Sequence, residues 1–117
     1  MKSANPVIIK SYAFAKQIIF VYKAICNDKK EFILSKQLLR SGTSIGANVE
    51  EAQGAQSKKD FFAKMAISYK EAREIRYWVN LLHDTGFLTF EQFDLLNRDC
   101  EELLKIIGSI QRSIKNN

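Results

Sequence analysis

Apolar residues recur every three or four positions along almost the whole chain, and the recurrence breaks three times. Asn5-Pro6 reads as an N-cap followed by proline at the first helical position. After it, Ile8, Tyr12, Ala15, Ile19, Tyr22 and Cys26 step 4-3-4-3-4, the seam of a helix over about 6–28. Val7, Phe14 and Val21 form a second apolar line on the same helix. A helix with two apolar lines has two neighbours, or one neighbour and a partner subunit. Asn27-Asp28-Lys29-Lys30 is the first polar break.

The second segment, about 34–54, carries Leu34, Leu38, Ser41, Ile45, Asn48 and Ala52 in the same step. Its middle contains Gly42 and Gly46, each costing about 1 kcal/mol in a helix relative to alanine. The seam keeps its register through them. That favours an unbroken helix in which small residues admit a closely crossing neighbour, over a loop that splits it. The third segment, about 58–85, opens with Ser57 and Asp60 at capping-box spacing. It runs through Phe61, Met65, Ser68, Ala72, Ile75, Val79 and Leu82 to a left-handed stop at Gly86. The fourth, about 90–114, opens with Thr89 and Gln92 and carries Phe93, Leu96, Cys100, Leu103, Ile107, Ile110 and Ile114. Four matched rods of ~30–40 Å joined by short breaks describe an all-α, antiparallel, up-down-up-down four-helix bundle, with residues 1–117 as one domain.

Composition fits that object without enlarging it. The chain has 117 residues, 46% of them hydrophobic and 26% charged, which suits an ordinary globular core and excludes intrinsic disorder. Two cysteines exclude a disulfide scaffold, and a single histidine removes most zinc sites and most histidine-based catalysis. No run is apolar enough to span a membrane, and lysines interrupt the first residues where a signal peptide would need an apolar stretch. Reduced cysteines make the cytoplasm the expected compartment.

Charge adds more. The net charge is +5, and residues 1–40 alone carry eight bases against Asp28 and Glu31. Residues 65–117 are close to neutral. Such asymmetry suits an acidic partner, nucleic acid first and an anionic membrane surface second, although a solvated basic face is the plain alternative.

Gly42 to Gly46 lacks the spacing, the lysine and the preceding strand of a phosphate loop. His83 has Asn80, not glutamate, three residues before it, so a di-iron site is excluded and no metal or cofactor is expected. Cys26 and Cys100 fall on seams and read as core residues. Arg40, Asn48, Glu51, Glu71 and Arg73 read as a hydrogen-bonded layer between helices two and three, fixing register and partner choice; a ligand site is the lesser reading. Tyr77-Trp78 reads as an interface pair, with nucleobase stacking beside Arg73 and Arg76 as the lesser reading.

The run from Leu38 to Ala52 resembles the second helix of the bacterial 23S rRNA intervening-sequence (S23) proteins. Their pattern, roughly R-x-S-x-S-I-x-x-N-[IV]-x-E-[GA], falls on Arg40, Gly42, Ser44, Ile45, Asn48, Val49, Glu51 and Ala52, with Gly42 in place of a serine. Phe61 to Leu82, with Ser68, Glu71, Glu74 and Tyr77-Trp78, is similar to the family's third helix. The resemblance spans about residues 7–112. It implies a left-handed bundle assembling into a ring, often a homopentamer, and no enzymatic activity. It also implies association with RNA or DNA, or docking to a nucleic-acid enzyme such as a reverse transcriptase.

Five copies would carry roughly +25 on one particle. The first expectation is therefore a homo-oligomer binding RNA or DNA through Lys10, Lys16, Lys23, Lys29, Lys30, Lys36, Lys58, Lys59 and Lys64. A protein-interaction scaffold or accessory subunit is the alternative.

Overall fold

A computed structural model describes residues 5–116. Four helices account for nearly all of them: α1 (Pro6–Ala24), α2 (Leu34–Gln53), α3 (Lys58–Asp84) and α4 (Phe90–Lys115). Among the described residues there is no strand. Asn5 caps α1 by accepting the Val7 N–H, and Ser57 caps α3 by accepting the Asp60 N–H. Thr89 and Gln92 cap α4 reciprocally. The α2 start is held differently. The Glu31 carboxylate accepts the N–H groups of Ile33, Leu34 and Ser35 at 3.0, 3.0 and 2.7 Å, so it fills several of the donors that a helix start leaves open.

α1 does not simply stop. It widens into a π-helical turn, Ile25–Lys29, and the chain then reverses at Lys30, a left-handed residue with φ of 56°. At the other end of α3, Gly86 takes φ of 88° at no steric cost, as the sequence anticipates.

Contacts between adjacent helices run in opposite chain directions: Arg40 pairs with Glu71 and Glu51 with Lys64 across α2 and α3, His83 stacks on Phe93 and Tyr69 lies against Gly108 across α3 and α4, and Ile18 lies over Gly42 and Ser11 over Gly46 across α1 and α2. Ser68 Oγ donates to the Ile45 carbonyl at 2.8 Å, Cys100 Sγ donates to the Ala72 carbonyl at 3.1 Å, and Lys10 pairs with Glu102. Neighbouring helices therefore run antiparallel, and α1 packs on both α2 and α4. The result is a rod of 46 × 24 × 22 Å.

On α3 and α4 the buried line is the expected one: Met65, Ser68, Ala72, Ile75, Val79 and Leu82 face Leu96, Cys100, Leu103 and Ile107. On α1 the expected seam is displaced by one residue. The buried line is Val7, Ser11, Phe14, Ile18, Val21 and Ile25, whereas Tyr12 and Ile19 are exposed. α1 is apolar nearly all round, so periodicity alone left its rotation undetermined. The glycines of α2 set it. Ile18 lies over Gly42, and the Ser11 backbone lies over Gly46, where an added Cβ would stand 3.2 Å from the Ser11 carbonyl oxygen. α2 is unbroken through both glycines because α1 crosses there. On α2 itself Val49, not Asn48, takes the buried position.

Candidate nucleic-acid interface

Lys10, Lys16, Lys23, Lys29, Lys30, Lys36, Lys58 and Lys59 are exposed, and Lys64 is half-buried. Two of the nine are engaged. Lys10 pairs with Glu102 at 3.0 Å and Lys64 with Glu51 at 2.9 Å. The hydrogen bond and charge of Glu51 hold the Lys64 ammonium above the ordinary lysine range. Lys16 lies over the Tyr12 ring, 5.1 Å from its centre. Among the described residues, Lys16, Lys23, Lys29, Lys30, Lys36, Lys58 and Lys59 have no acidic partner within ion-pair distance.

The fold does not gather these lysines into one patch. Antiparallel packing sends Lys23, Lys29, Lys30 and Lys36 to the end of the rod where α1 turns into α2. Lys58 and Lys59 go to the opposite end, in the first turn of α3. There they share a cleft of ≈370 Å³ with Phe62 and with Ile114 and Lys115 from the last turn of α4. Sequence reading missed Phe62 and Lys115 as neighbours of these lysines. Matching the α3 start to the α4 end of an antiparallel pair would have found both.

The polar layer between α2 and α3 requires correction. It is a rim, not a buried layer. Arg40 is half exposed and pairs with Glu71 at 3.3 Å and with Glu74; Glu74 also accepts the Trp78 indole N–H at 2.9 Å. Glu51 is exposed and bonds only Lys64. Asn48 takes no part, because its Nδ2 donates to the Ser44 carbonyl of its own helix at 2.8 Å. Arg73 points to solvent without an acidic partner among the described residues. The Asn48 amide is thus spent on its own helix, and the Arg73 guanidinium lies in water. The one buried polar link between the helices is Ser68 to the Ile45 carbonyl.

Trp78 packs, half-buried, against its own bundle, and its neighbour Tyr77 is exposed. His83 stacks on Phe93 with ring centres 4.0 Å apart. Burial pushes the Cys100 thiol up to about 12, a value Glu101 favours and Arg76 opposes. Such a thiol is no nucleophile. No group of three or more His, Cys, Asp or Glu side chains is placed to hold a metal ion among the described residues. No described helix is long and apolar enough to cross a membrane.

A second surface is apolar. Part of the α1 line that the sequence assigned to the core faces outward: Tyr12 is 66% exposed and Ile19 is exposed too, with Ile9 and Phe20, 62% exposed, beside them, while Ile8, Ala15, Tyr22 and Cys26 are half-buried. Along its flank runs a groove of ≈660 Å³ between α1 and α2, floored by Ile8, Ala15, Gly46, Ala47 and Val49. At the α1–α2 turn, Phe32 and Ile33 are exposed next to Lys29 and Lys30, Ile33 by 78%.

The geometry can be set beside known proteins. A crystal structure of a protein of unknown function from the S23 ribosomal protein family of Bacteroides thetaiotaomicron VPI-5482 superposes with a TM-score of 0.88 at 50% sequence identity, covering 90% of this chain and 97% of that one. No curated protein matches the sequence. The family model for 23S rRNA-intervening sequence proteins matches residues 4–109. With that span and that fold, this chain belongs to the 23S rRNA-intervening sequence protein family.

Proposed function

We propose that the protein is a non-enzymatic, homo-oligomeric module, a pentameric ring of bundles, that binds RNA or DNA through unpaired surface lysines. The observation that carries the reading is the set of seven exposed lysines without an acidic partner among the described residues, held on rigid helices and at their ends. Lysine ammonium groups contact phosphates without reading base sequence, so binding is electrostatic and of low specificity. Repetition of the lysines around a ring makes the contact multivalent. The family's association with intervening sequences of 23S rRNA supports RNA as the polyanion.

Self-assembly is supported by the outward apolar line of α1 and its flanking groove. Tyr12, Ile19 and Phe20 offer more apolar surface than an isolated bundle needs, and a second copy is the occupant proposed. The stacking of His83 on Phe93 and the burial of the Cys100 thiol support the non-enzymatic part of the reading.

The test is a fluorescence-anisotropy titration of labelled RNA at about 50 and about 200 mM salt. The reading expects affinity to fall steeply as salt rises. Affinity indifferent to salt overturns it.

Phe32 and Ile33, exposed among lysines at the α1–α2 turn, favour a second reading in which the ring docks a protein that itself holds nucleic acid. Co-purification that survives nuclease treatment supports that reading; loss of the partner on treatment supports direct binding.

A further inference from the structure

The two basic ends of the rod are not equivalent. At the α2–α3 end, three lysines from two helices converge on one cleft. Lys58 and Lys59 enter from the first turn of α3, Lys115 from the last turn of α4, and Phe62 and Ile114 supply an apolar wall between them. The cleft's ≈370 Å³ falls within the ~300–1,000 Å³ typical of small-ligand sites.

Helix electrostatics accounts for Lys115, in the last turn of α4, but not for the other two lysines. The first turn of a helix carries partial positive charge and favours acids, yet positions one and two of α3 are lysines. Lys115 then adds a third like charge beside them. The acids that might answer them are turned elsewhere: Asp60 accepts the Gln56 N–H at 3.4 Å, and Glu51 holds Lys64. Among the described residues, Lys58, Lys59 and Lys115 make no ion pair. Three lysines without acidic partners beside an apolar wall suit a ligand that is anionic on one side and flat and apolar on the other.

We infer that this cleft seats an unpaired nucleotide of single-stranded nucleic acid, its phosphate among Lys58, Lys59 and Lys115 and its base against Phe62 and Ile114. The inference rests on the nucleic-acid reading above and narrows it. A duplex keeps its bases stacked on one another and offers the cleft only phosphates, so single strands are preferred.

The test is anisotropy with a labelled oligouridylate of about six nucleotides, too short to engage both ends of the 46 Å rod, and with an RNA duplex of equal length. Lys58→Gln/Lys59→Gln/Lys115→Gln is expected to weaken single-strand binding by about tenfold or more and to reduce the salt slope by about 2. Phe62→Leu, which keeps the apolar wall but removes the ring, is expected to weaken single-strand binding about tenfold and to leave duplex binding unchanged. Lys70→Gln, at an exposed lysine of α3 outside the proposed contacts, is expected to leave oligouridylate binding as it was. Circular dichroism melting establishes that each variant is folded. If the cleft triple variant binds oligouridylate like wild type, the cleft is wrong and nucleic-acid binding stands. Equal effects of Phe62→Leu on both ligands, or none on either, overturn the base seat. If the wild-type protein binds neither ligand, the inference and the reading beneath it both fall.

Discussion

Ile18 of α1 lies directly over Gly42 of α2: a Cβ at position 42 would stand 2.5 Å from Ile18 Cγ1 and within 3 Å of two further carbons of that side chain. Ile18 is fully buried and has nowhere to retreat. Gly42→Ala gains about 1 kcal/mol of helix propensity but overpacks the crossing by about 1–3 kcal/mol. The expected net is a loss of up to about 2 kcal/mol in urea unfolding. Removing the opposing carbons with Ile18→Ala in the Gly42→Ala background costs less than the sum of the two single changes. Strict additivity in that double-mutant cycle removes the crossing contact as the cause.

The Glu31 carboxylate closes the start of α2. Partial burial pushes its pKa up, but the N–H groups of Leu34, Ser35 and Ile33 outweigh burial and hold it below the ordinary carboxylate range. A lowered folded pKa stabilises the fold above the unfolded value of about 4.3 and is lost as pH falls through the folded value. Glu31→Ala is expected to lower stability at neutral pH by about 1 kcal/mol and to flatten the acid limb of the stability curve. An unchanged acid limb would show that the carboxylate does not hold the helix start.

The two thiols should separate cleanly. Cys26 is half-buried, whereas Cys100 is buried with its thiol raised to about 12. In the native protein an aromatic disulfide reagent at neutral pH is expected to modify only Cys26; denaturant exposes Cys100. The raised Cys100 value also favours the fold fully below the unfolded thiol pKa of about 8.5, a contribution lost as pH climbs toward 12. Rapid native labelling of Cys100 would contradict its burial.

Asn48 bonds the carbonyl of Ser44 within its own helix and no residue of α3. Asn48→Leu is therefore expected to change stability by under about 0.5 kcal/mol and to leave the mass in solution as it was. A change of assembly size in this variant would restore a registering role to Asn48.

Much of this was readable in the residues themselves. Asn5-Pro6, Ser57, Thr89 with Gln92 and Gly86 each mark a helix end where the chain has one, because capping is local chemistry. The buried lines of α3 and α4 were equally legible, since those helices are polar on the opposite face. α1 was not, because Ile8, Tyr12 and Ile19 compete with Val7, Phe14 and Ile18 for the core, and only the notch at Gly42 and Gly46 decides between them. The grip of Glu31 on α2 escaped because it reaches from outside the usual cap position. Of the candidate lysines, the sequence showed the excess but not its division between two ends, which depends on helix pairing.

In the proposed function, the outward apolar face of α1 joins small basic bundles into a multivalent particle. With Tyr12, Ile19 and Phe20 covered by a sister copy, light scattering on the purified wild-type protein should give a mass several times 13.4 kDa, five times for a pentamer. A particle of 13.4 kDa at the same concentrations would leave that face bare and contradict the assembly on which the proposed function rests.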